Sequence, residues 1–529
     1  MIKRATIAAL AASLALSAAY GQGADQAPAT APATRELFFE LGLAGIYNGV
    51  GATEESLAFR FDAEPFSLSA LGVMRNDGKY DAELAGVPGG KFFGNYILMV
   101  EGGATMRRDG LSFRAGRFRH YDELESPYSL FVNSLGHSAN IMELRFENAN
   151  FLYQSRWVEL NARSAFQSGE ADPRLRSWHI EMLDGAGNAL PASASYAGFP
   201  DRGANIKTYA LKIGNLRVGY QDAAVYSGPP GSGRSFDFEY FLNPIPQYFI
   251  QYVKGTGGRP WTTGDDENNF LGLFVDWRNH EGAYLYAQGL LDDFSIAFLF
   301  PQTFDYPYKA GLAAGGRVPT RLGVVGLHAA LSPMYSFSPI TMTDGSGDHT
   351  GKQWQSSYGY TYYPETRYWL ETSGEAKSIA IEDNMVGFMH GENTVALMAE
   401  WSDRLAGMQL LANLELRLAG SSSPANPWHD GVGHPAGTRL LDEEYIESRI
   451  LGKLSASKSY GPLSLRGSVN LGYVWNERRL RAPVGVDPQF SAVDRNVWIW
   501  SPVPGLNRLL VSVSLGLVYR LEPLGGGRP

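Results

Sequence analysis

The sequence contains no cysteine among its 529 residues. Disulfide bridges, thiol catalysis, cysteine-ligated metal sites and attachment through a lipidated cysteine are therefore excluded. An excess of basic charge is also missing, because the formal net charge is −9 at neutral pH. A chain with this charge is repelled by phosphates, so we expect no nucleic-acid partner.

Long apolar runs are scarce as well. Residues 5–19 form one, preceded by two basic residues and followed by small ones. This pattern predicts a secretory signal peptide over residues 1–21, cleaved after Ala19 or Gly21. No later segment reaches the roughly 18 consecutive apolar residues of a membrane-spanning helix. The exported chain is therefore expected either to dissolve outside the cytoplasm or to enter a membrane as a β-barrel.

Alternation of apolar and polar residues is what the sequence has in abundance. In residues 463–475, Leu465, Val469 and Leu471 share one parity, while Arg466 belongs to the other. Period two is the signature of a β-strand, whose successive side chains point to opposite faces. The run exceeds the roughly five or six residues of an ordinary strand and matches the 9–11 or so of a tilted transmembrane strand. The same pattern recurs in residues 269–279, 407–420 and 509–521.

These strands predict an all-β fold, a transmembrane antiparallel β-barrel of roughly 16 to 20 strands with long extracellular loops. Closure of the sheet gives every backbone group a partner where lipid offers none. We assign residues 35–521 to the barrel, 22–34 to a flexible leader and 522–529 to a carboxyl-terminal tail. A soluble β-sandwich or propeller stays open as an alternative, although its strands are usually shorter.

The last alternating stretch carries Ser514, Gly516, Tyr519 and Leu521 in an order that resembles the insertion signal of bacterial outer-membrane barrels. The departure is the tail, since that signal usually closes the chain. The resemblance implies export to the outer membrane of a diderm bacterium and recognition by the barrel-assembly machinery. Outer-membrane lipid and lipopolysaccharide, or an equivalent, are then expected neighbours.

The sequence lacks the common enzyme signatures. The sequence has no HExxH, no GxSxG and no phosphate-binding loop ending in GK[ST]. We therefore predict no enzymatic activity, no cofactor and no metal site. A barrel enzyme of phospholipase or protease type is the weakest alternative, because no spacing singles out a serine–histidine pair.

A cluster of acidic and basic residues lies in residues 268–300. It comprises Asp276, Arg278 and the pair Asp292 and Asp293. From the residues alone, the pair is either a turn with carboxylates in solvent or a rim site for sugar hydroxyls or a cation. The region resembles the central part of the capsule-assembly outer-membrane barrels of the Wzi type. That resemblance implies surface-polysaccharide binding, with these four positions as candidate contacts.

Charged residues on the polar faces of other strands are candidates for the lumen. They are Glu415, Arg417, Arg466 and Arg520. They either set the field that solutes feel or pair with each other across neighbouring strands. We predict porin-like passage of small polar solutes. The alternative is a polysaccharide-binding barrel, in which rings of the aromatic-rich residues 358–369 stack on sugars.

Overall fold

A computed structural model describes residues 36–49, 51–77, 91–92, 95–161, 201–228, 235–254, 267–292, 309–338, 340–341, 359–363, 367–369, 376–422, 428–429, 438–481 and 499–521. The predicted signal peptide, leader and tail lie outside these residues, and so does Asp293.

Eighteen antiparallel strands form one sheet that closes on itself. They are β1 (Glu36–Tyr47), β2 (Gly51–Ala63), β3 (Phe66–Arg75), β4 (Asn95–Arg108), β5 (Leu111–Arg119), β6 (Ser138–Glu147), β7 (Phe151–Asn161), β8 (Asp201–Ile213), β9 (Leu216–Gly228), β10 (Glu267–Arg278), β11 (Tyr284–Asp292), β12 (Lys309–Thr320), β13 (Gly323–Ser332), β14 (Thr394–Leu405), β15 (Met408–Ala419), β16 (Glu447–Tyr460), β17 (Leu463–Trp475) and β18 (Arg508–Leu521). Each strand pairs with the next, and β18 returns to pair with β1, where Leu43 stands opposite Leu517. The predicted all-β barrel and its strand number are confirmed.

Short turns and long connections alternate between the two ends of the barrel. Turns such as 109–110, 406–407 and 461–462 join strands at one end. At the second of these, Ala406 and Gly407 both have positive φ, 51° and 74°, which matches the right-handed twist of a hairpin. The connections at the other end are longer, except residues 48–50. In outer-membrane barrels the long connections face outward from the cell and the short turns face the periplasm.

The two faces of the strands differ as the alternation predicts. On the outside, Leu471 is 59% exposed, Leu509 62% and Leu273 67%. On the inside, Ser468 is only 4% exposed. Leaving apolar surface in water costs about 25 cal/mol of free energy for each Å². A continuous apolar exterior is therefore stable only against lipid.

In the described part of the chain, three short helices accompany the barrel: α1 (Phe238–Leu242), α2 (Gln247–Lys254) and α3 (Ile381–Asn384). Among the described residues, no helix has the length and hydropathy to cross a membrane. Two-residue to four-residue strands lie in the connections: Lys91–Phe92, which pairs with β4, and Ile340–Thr341, Arg367–Trp369, Ala376–Ser378, Trp428–His429, Arg478–Arg481 and Ile499–Pro502.

The apolar core lies inside the barrel. Residues 120–137, which connect β5 to β6 and which we call the inner segment, contribute Tyr128, Leu130 and Phe131, all completely buried. They pack against Phe270 of the wall. A further part of the core comes from residues 359–363 and 380–393, which we call the second inner region and which includes Tyr360, Val386 and Phe388.

Neighbouring residues of β17 provide a test of the orientation of the strands. Because the native chain has no cysteine, Leu465→Cys and Arg466→Cys each introduce a single thiol. In protein reconstituted into vesicles, we expect a water-soluble maleimide to label position 466 through the lumen and to leave position 465 unlabelled. Labelling of position 465 at the rate of position 466 would contradict a lipid-facing exterior.

Candidate functional site: charged contacts of the inner segment

The inner segment is shaped by short-range hydrogen bonds from its own polar side chains. The amide of Leu124 donates to Asp122 Oδ1 (3.2 Å), that of Tyr128 to Ser126 Oγ (3.0 Å) and that of Leu135 to Asn133 Oδ1 (2.9 Å). Asx and serine side chains make such turns by accepting from the backbone two residues on. They satisfy backbone donors that would otherwise be unpaired in a buried, non-helical segment.

Glu123 joins the inner segment to two strands near the short-turn end of the barrel, and through Arg217 to a third. Its carboxylate contacts the guanidinium of Arg145 on β6 and lies 3.4 Å from Arg217 Nη1 on β9. Arg217 also donates to the backbone oxygen of Glu123 (2.8 Å) and forms an ion pair with Asp276 on β10 (2.6 Å). The candidate Asp276 is thus held in a chain of alternating charges that ends on the inner segment.

Glu125 makes a second contact of the same kind. Its carboxylate lies 2.5 Å from Arg278 Nη2 and also contacts Arg317 on β12. Both guanidinium groups lie over the ring of Tyr284, at 5.0 Å and 5.4 Å from its centroid, in the geometry of a cation–π interaction. Arg278, the second candidate from residues 268–300, therefore also binds the inner segment.

Glu415 and Arg417 belong to a buried group of charges that we call the Arg417 cluster: Glu382, His390, Glu415, Arg417, Glu447 and Arg449. Glu415 Oε1 accepts from Tyr128 of the inner segment (2.9 Å) and lies 2.8 Å from His390 Nε2. Arg417 contacts Glu447 on β16 and lies 2.5 Å from Glu382 of α3. Of the two interpretations offered by the sequence, pairing between neighbouring strands describes these two residues.

Burial and neighbouring charges set the protonation states of Glu382, which belongs to this cluster, and of Tyr128, which contacts it; both residues lie outside the strands. Burial opposes the charge of Glu382, but Arg417, His390 and Arg449 together hold the pKa of its carboxyl well below the ordinary value. Burial, reinforced by the neighbouring carboxylate of Glu415, raises the pKa of Tyr128, so its hydroxyl remains a donor.

The inner segment is also bound to the second inner region. Asn133 Nδ2 donates to the backbone oxygens of Glu382 and Met385, each at 3.0 Å. Tyr360 donates to the backbone oxygen of Phe131 (2.7 Å). These bonds make the two buried connections one hydrogen-bonded body inside the barrel.

A histidine at the start of the inner segment adds one more bond. His120 Nε2 lies 2.7 Å from the hydroxyl of Tyr362. Burial, with help from Arg156 and Arg114, lowers the pKa of His120 well below the ordinary value, so the ring is neutral. A neutral ring can donate to or accept from Tyr362 without burying a charge.

Asp292 lies apart from these contacts, at the long-connection end of β11. It is completely buried, 3.3 Å from Lys309 Nζ, and Lys309 also donates to the backbone oxygen of Ser338 (3.1 Å). The expectation of a solvent-exposed turn at this position is therefore wrong, because the carboxylate of Asp292 is buried and forms an ion pair with the buried ammonium group of Lys309. A ligand contact at Asp292 stays a prediction, and Asp293 lies outside the described residues.

Arg466 and Arg520 are not brought to the inner segment. Both face the lumen beside the junction of β18 with β1, where Arg520 Nη2 lies 3.2 Å from Glu40 Oε2. Arg466 stands opposite Gly516 on the neighbouring strand. We call the inward faces of β16, β17, β18, β1 and β2 the seam wall.

The residues of the proposed insertion signal all lie on β18. Ser514 and Gly516 face inward, and Ser514 shares a hydrogen bond with Ser468. Tyr519 and Leu521 face outward, 43% and 41% exposed. Their role in membrane insertion stays a prediction.

Sequence reasoning missed the groups that organise the lumen, chiefly Glu123, Glu125 and Tyr128, together with Arg217, Glu382 and His390. A signal was available in the acidic and aromatic run "HYDELESPYS" directly after β5. Connections of this polarity are usually solvated, so the run gave no reason to place it inside a barrel.

Resemblances to known proteins are found among solved structures. No family model and no curated protein matches the chain. Among solved structures, the chain is similar to Wzi of Escherichia coli, an outer-membrane protein involved in group 1 capsule assembly and a carbohydrate-binding β-barrel, with 11% identity, a TM-score of 0.48 and coverage of 93% of this chain and 85% of that one. It is also similar to OccD3 of Pseudomonas aeruginosa, with 8% identity, a TM-score of 0.42 and coverage of 93% of this chain and 91% of that one. A further similar structure is OccK2 of the same organism in complex with glucuronate, with 9% identity, a TM-score of 0.40 and coverage of 93% of this chain and 97% of that one. At these identities the likeness concerns the fold alone.

The closed barrel and its apolar exterior define the class of the protein. It is a closed, all-β barrel of the outer-membrane type.

Glu123→Gln tests the contact between the inner segment and the wall. It removes the charge that Arg145 and Arg217 share, and both arginines keep a second carboxylate, so we expect a loss of about 1–3 kcal/mol in the free energy of unfolding. Denaturant titration of the detergent-solubilised barrel measures it. Asp109→Asn is the control, because Asp109 and its partner Arg108 are 90% and 80% exposed; its midpoint should equal that of the native chain.

Glu382→Gln tests the Arg417 cluster through pH. The folded-state pKa of Glu382 is depressed, so its stabilising contribution is complete above the ordinary glutamate pKa and is lost as pH falls through the folded value. We expect the stability advantage of the native chain over Glu382→Gln to shrink below the ordinary glutamate range. An advantage independent of pH from neutrality into acid would contradict the depressed pKa.

Proposed function

We propose that the chain forms a water-filled passage for small polar solutes along the seam wall. The ion pairs and hydrogen bonds of the inner segment go to strands from β6 to β15, on one side of the lumen. The seam wall lies on the other side, apart from Glu447 and Arg449 of β16, which belong to the Arg417 cluster. The proposal therefore divides the lumen into a filled half and a solvated half.

The observation that carries the proposal is the solvent exposure of charged side chains that face inward. Arg520 is 65% exposed and Arg60, paired with Asp62 at 2.7 Å, is 56% exposed. Both residues lie at the short-turn end of their strands, so their exposure supports a solvated mouth of the lumen at that end. The neighbouring inward residues are mostly small or polar: Gly42, Ala44, Ser56, Ser455, Ser457, Ser468, Asn470, Ser512 and Ser514.

Charge on the seam wall should make the passage distinguish between anions and cations. The inward-facing Lys453 stands in register between Asn413 of β15 and Asn470 of β17. Among the described residues no acidic side chain forms an ion pair with it. A fixed, uncompensated cation raises the local concentration of anions, so anionic solutes should pass more readily than cations.

The polysaccharide-binding alternative has less support in the geometry. Tyr360 and Tyr362 of the aromatic-rich residues 358–369 are 0% and 7% exposed. Tyr360 lies 4.5 Å from Phe270 between ring centroids, so its faces are occupied by the core. Burial in the core leaves these two rings no free face for a sugar, whereas Tyr363 of the same run is 47% exposed.

Current through single barrels in planar bilayers tests the passage. Asn470→Trp places a large ring on the seam wall, and we expect the open conductance to fall by about half or more. Val469→Trp is the matched control, because it places the same ring on the lipid face of the same strand, and it should leave conductance unchanged. Lys453→Glu should shift the reversal potential toward cations.

A native barrel that passes no current would contradict the proposal and leave an occluded binding barrel. Equal conductance of the two tryptophan variants would contradict the position of the passage. Lipid hydrolysis by the purified protein would instead identify a barrel enzyme.

A further inference from the structure

A connection at the long end of the barrel lies on its outer surface. We call residues 235–254, which contain α1 and α2, the outer strap. The side chains that hold it share their parity with exposed apolar residues of the same strands: Lys207 and Tyr209 with Leu211, which is 57% exposed, and Asp222 with Val218, which is 43% exposed. The strap therefore covers the outside of β7, β8 and β9, unlike the inner segment.

Polar side chains of three strands bind the backbone of the strap. On β7, Trp157 Nε1 donates to the oxygen of Ser235 (2.5 Å) and Ser155 Oγ to that of Phe241 (2.7 Å). On β8, Lys207 Nζ donates to the oxygens of Asn243 (2.5 Å) and Ile245 (2.8 Å), and Tyr209 to that of Pro244 (2.9 Å). On β9, Asp222 Oδ2 accepts from the amide of Gln247 (2.7 Å).

The two charges suit the helices that they contact. Lys207 binds carbonyls at and beyond the carboxyl end of α1, and Asp222 binds the first amide of α2. A cation at the carboxyl end of a helix and an anion at the amino end both favour the helix dipole. A Cβ at Gly203 would lie 2.1 Å from the oxygen of Ser235, so glycine permits the close approach of the strap.

Without the strap, this sector of the wall would be polar where neighbouring strands are apolar. The outward residues of β10 stay apolar through Trp277, Val275, Leu273 and Leu271 and become polar only at Asn269 and Glu267, whereas those of β8 change from Ile213 and Leu211 to Lys207 and Asn205 halfway along the strand. A spanning strand needs about 9–11 residues to cross the apolar layer. A lysine and an aspartate on a lipid face are strongly unfavourable unless they are covered.

The outer face of the strap is apolar. Phe238, Leu242 and Phe249 are 66%, 49% and 56% exposed, and Ile245 is 38% exposed. The opposite face packs onto the wall through Tyr240 and Ile250, with Tyr226 stacked on Tyr240 at 5.4 Å.

We propose that the outer strap is a lipid-facing part of the barrel wall, and that Phe238, Leu242, Ile245 and Phe249 lie among the acyl chains of the outer leaflet. The strap completes the apolar exterior, with which its own exposed face is continuous, and it satisfies the polar groups beneath. The leaflet follows from its position at the long-connection end. The proposal does not depend on solute passage through the lumen.

Single cysteines in the full chain test this placement. Phe249→Cys and Leu242→Cys are prepared in two forms, one with a small fluorophore on the thiol for vesicles with and without brominated acyl chains, and one with the thiol free for labelling. Leu273→Cys on β10 is the lipid-facing control, and the exposed loop residue Glu444, as Glu444→Cys, is the aqueous control. We expect bromine to quench positions 249 and 242 as strongly as 273, and a membrane-impermeant maleimide to label position 444 alone.

Two outcomes would overturn the proposal. Rapid labelling of positions 249 and 242 would place the strap in water. Protection from the reagent without bromine quenching would show that protein, such as a second copy of the chain, covers it.

Gly203→Leu, combined with the cysteine at position 249, adds an independent measurement. The larger side chain cannot fit beneath Ser235, so the strap should lift and quenching at position 249 should fall. Quenching at position 273, in the matched double variant, should not change. If Gly203→Leu fails to fold, the labelling of the single-cysteine set still decides the question.

Discussion

The hydrogen-bonded pairing of β18 with β1 is the interaction on which the rest of the structure depends. Nine residue pairs, from Phe39 with Leu521 to Tyr47 with Val513, close the sheet. In hydrocarbon an open edge would leave a row of amides and carbonyls without partners, at several kcal/mol each. Closure removes both edges at once and creates two surfaces, an outer one that must be apolar and an inner one that is shielded from lipid.

Inside the barrel, the problem is how to fill an interior wider than a single layer of side chains. The chain uses its own connections. The inner segment and the second inner region contribute apolar residues to a core and carry Glu123, Glu125 and Glu382 to arginines of the wall. Each of these arginines would lose its hydration when the connection packs beside it, so the carboxylates replace water as partners. The proposed passage along the seam wall uses the part of the lumen that these contacts do not occupy.

On the outside, the outer strap covers polar side chains on a surface that is otherwise apolar. Polar side chains of β7, β8 and β9 occur on the face that should be apolar, and a connection covers them. The inner segment supplies charge to a charged wall, and the strap supplies backbone groups to Lys207 and Asp222. In both cases a long connection provides the partner that the surrounding medium cannot.

Period two is a local property, and the sequence alone therefore determined the strands, their inward and outward faces and the fold class. Leu465 and Arg466 lie on the opposite faces that their parity predicts. Among the candidate residues, the sequence identified charged side chains that face the lumen, but it did not show which of them form ion pairs with each other. Asp276 on β10 pairs with Arg217 on the neighbouring β9, and Arg217 in turn contacts Glu123, which is 153 residues away from Asp276 along the chain.

Only the tertiary structure decided where the connections go. The run containing Glu123 and the run containing Phe249 are each a mixture of polar and aromatic residues, and nothing in their local pattern separates a path through the lumen from a path across the outer wall. That choice depends on long-range complementarity with residues on distant strands, such as Arg145 for the first and Lys207 for the second. Because such contacts form only when the barrel is closed, tertiary structure alone establishes them.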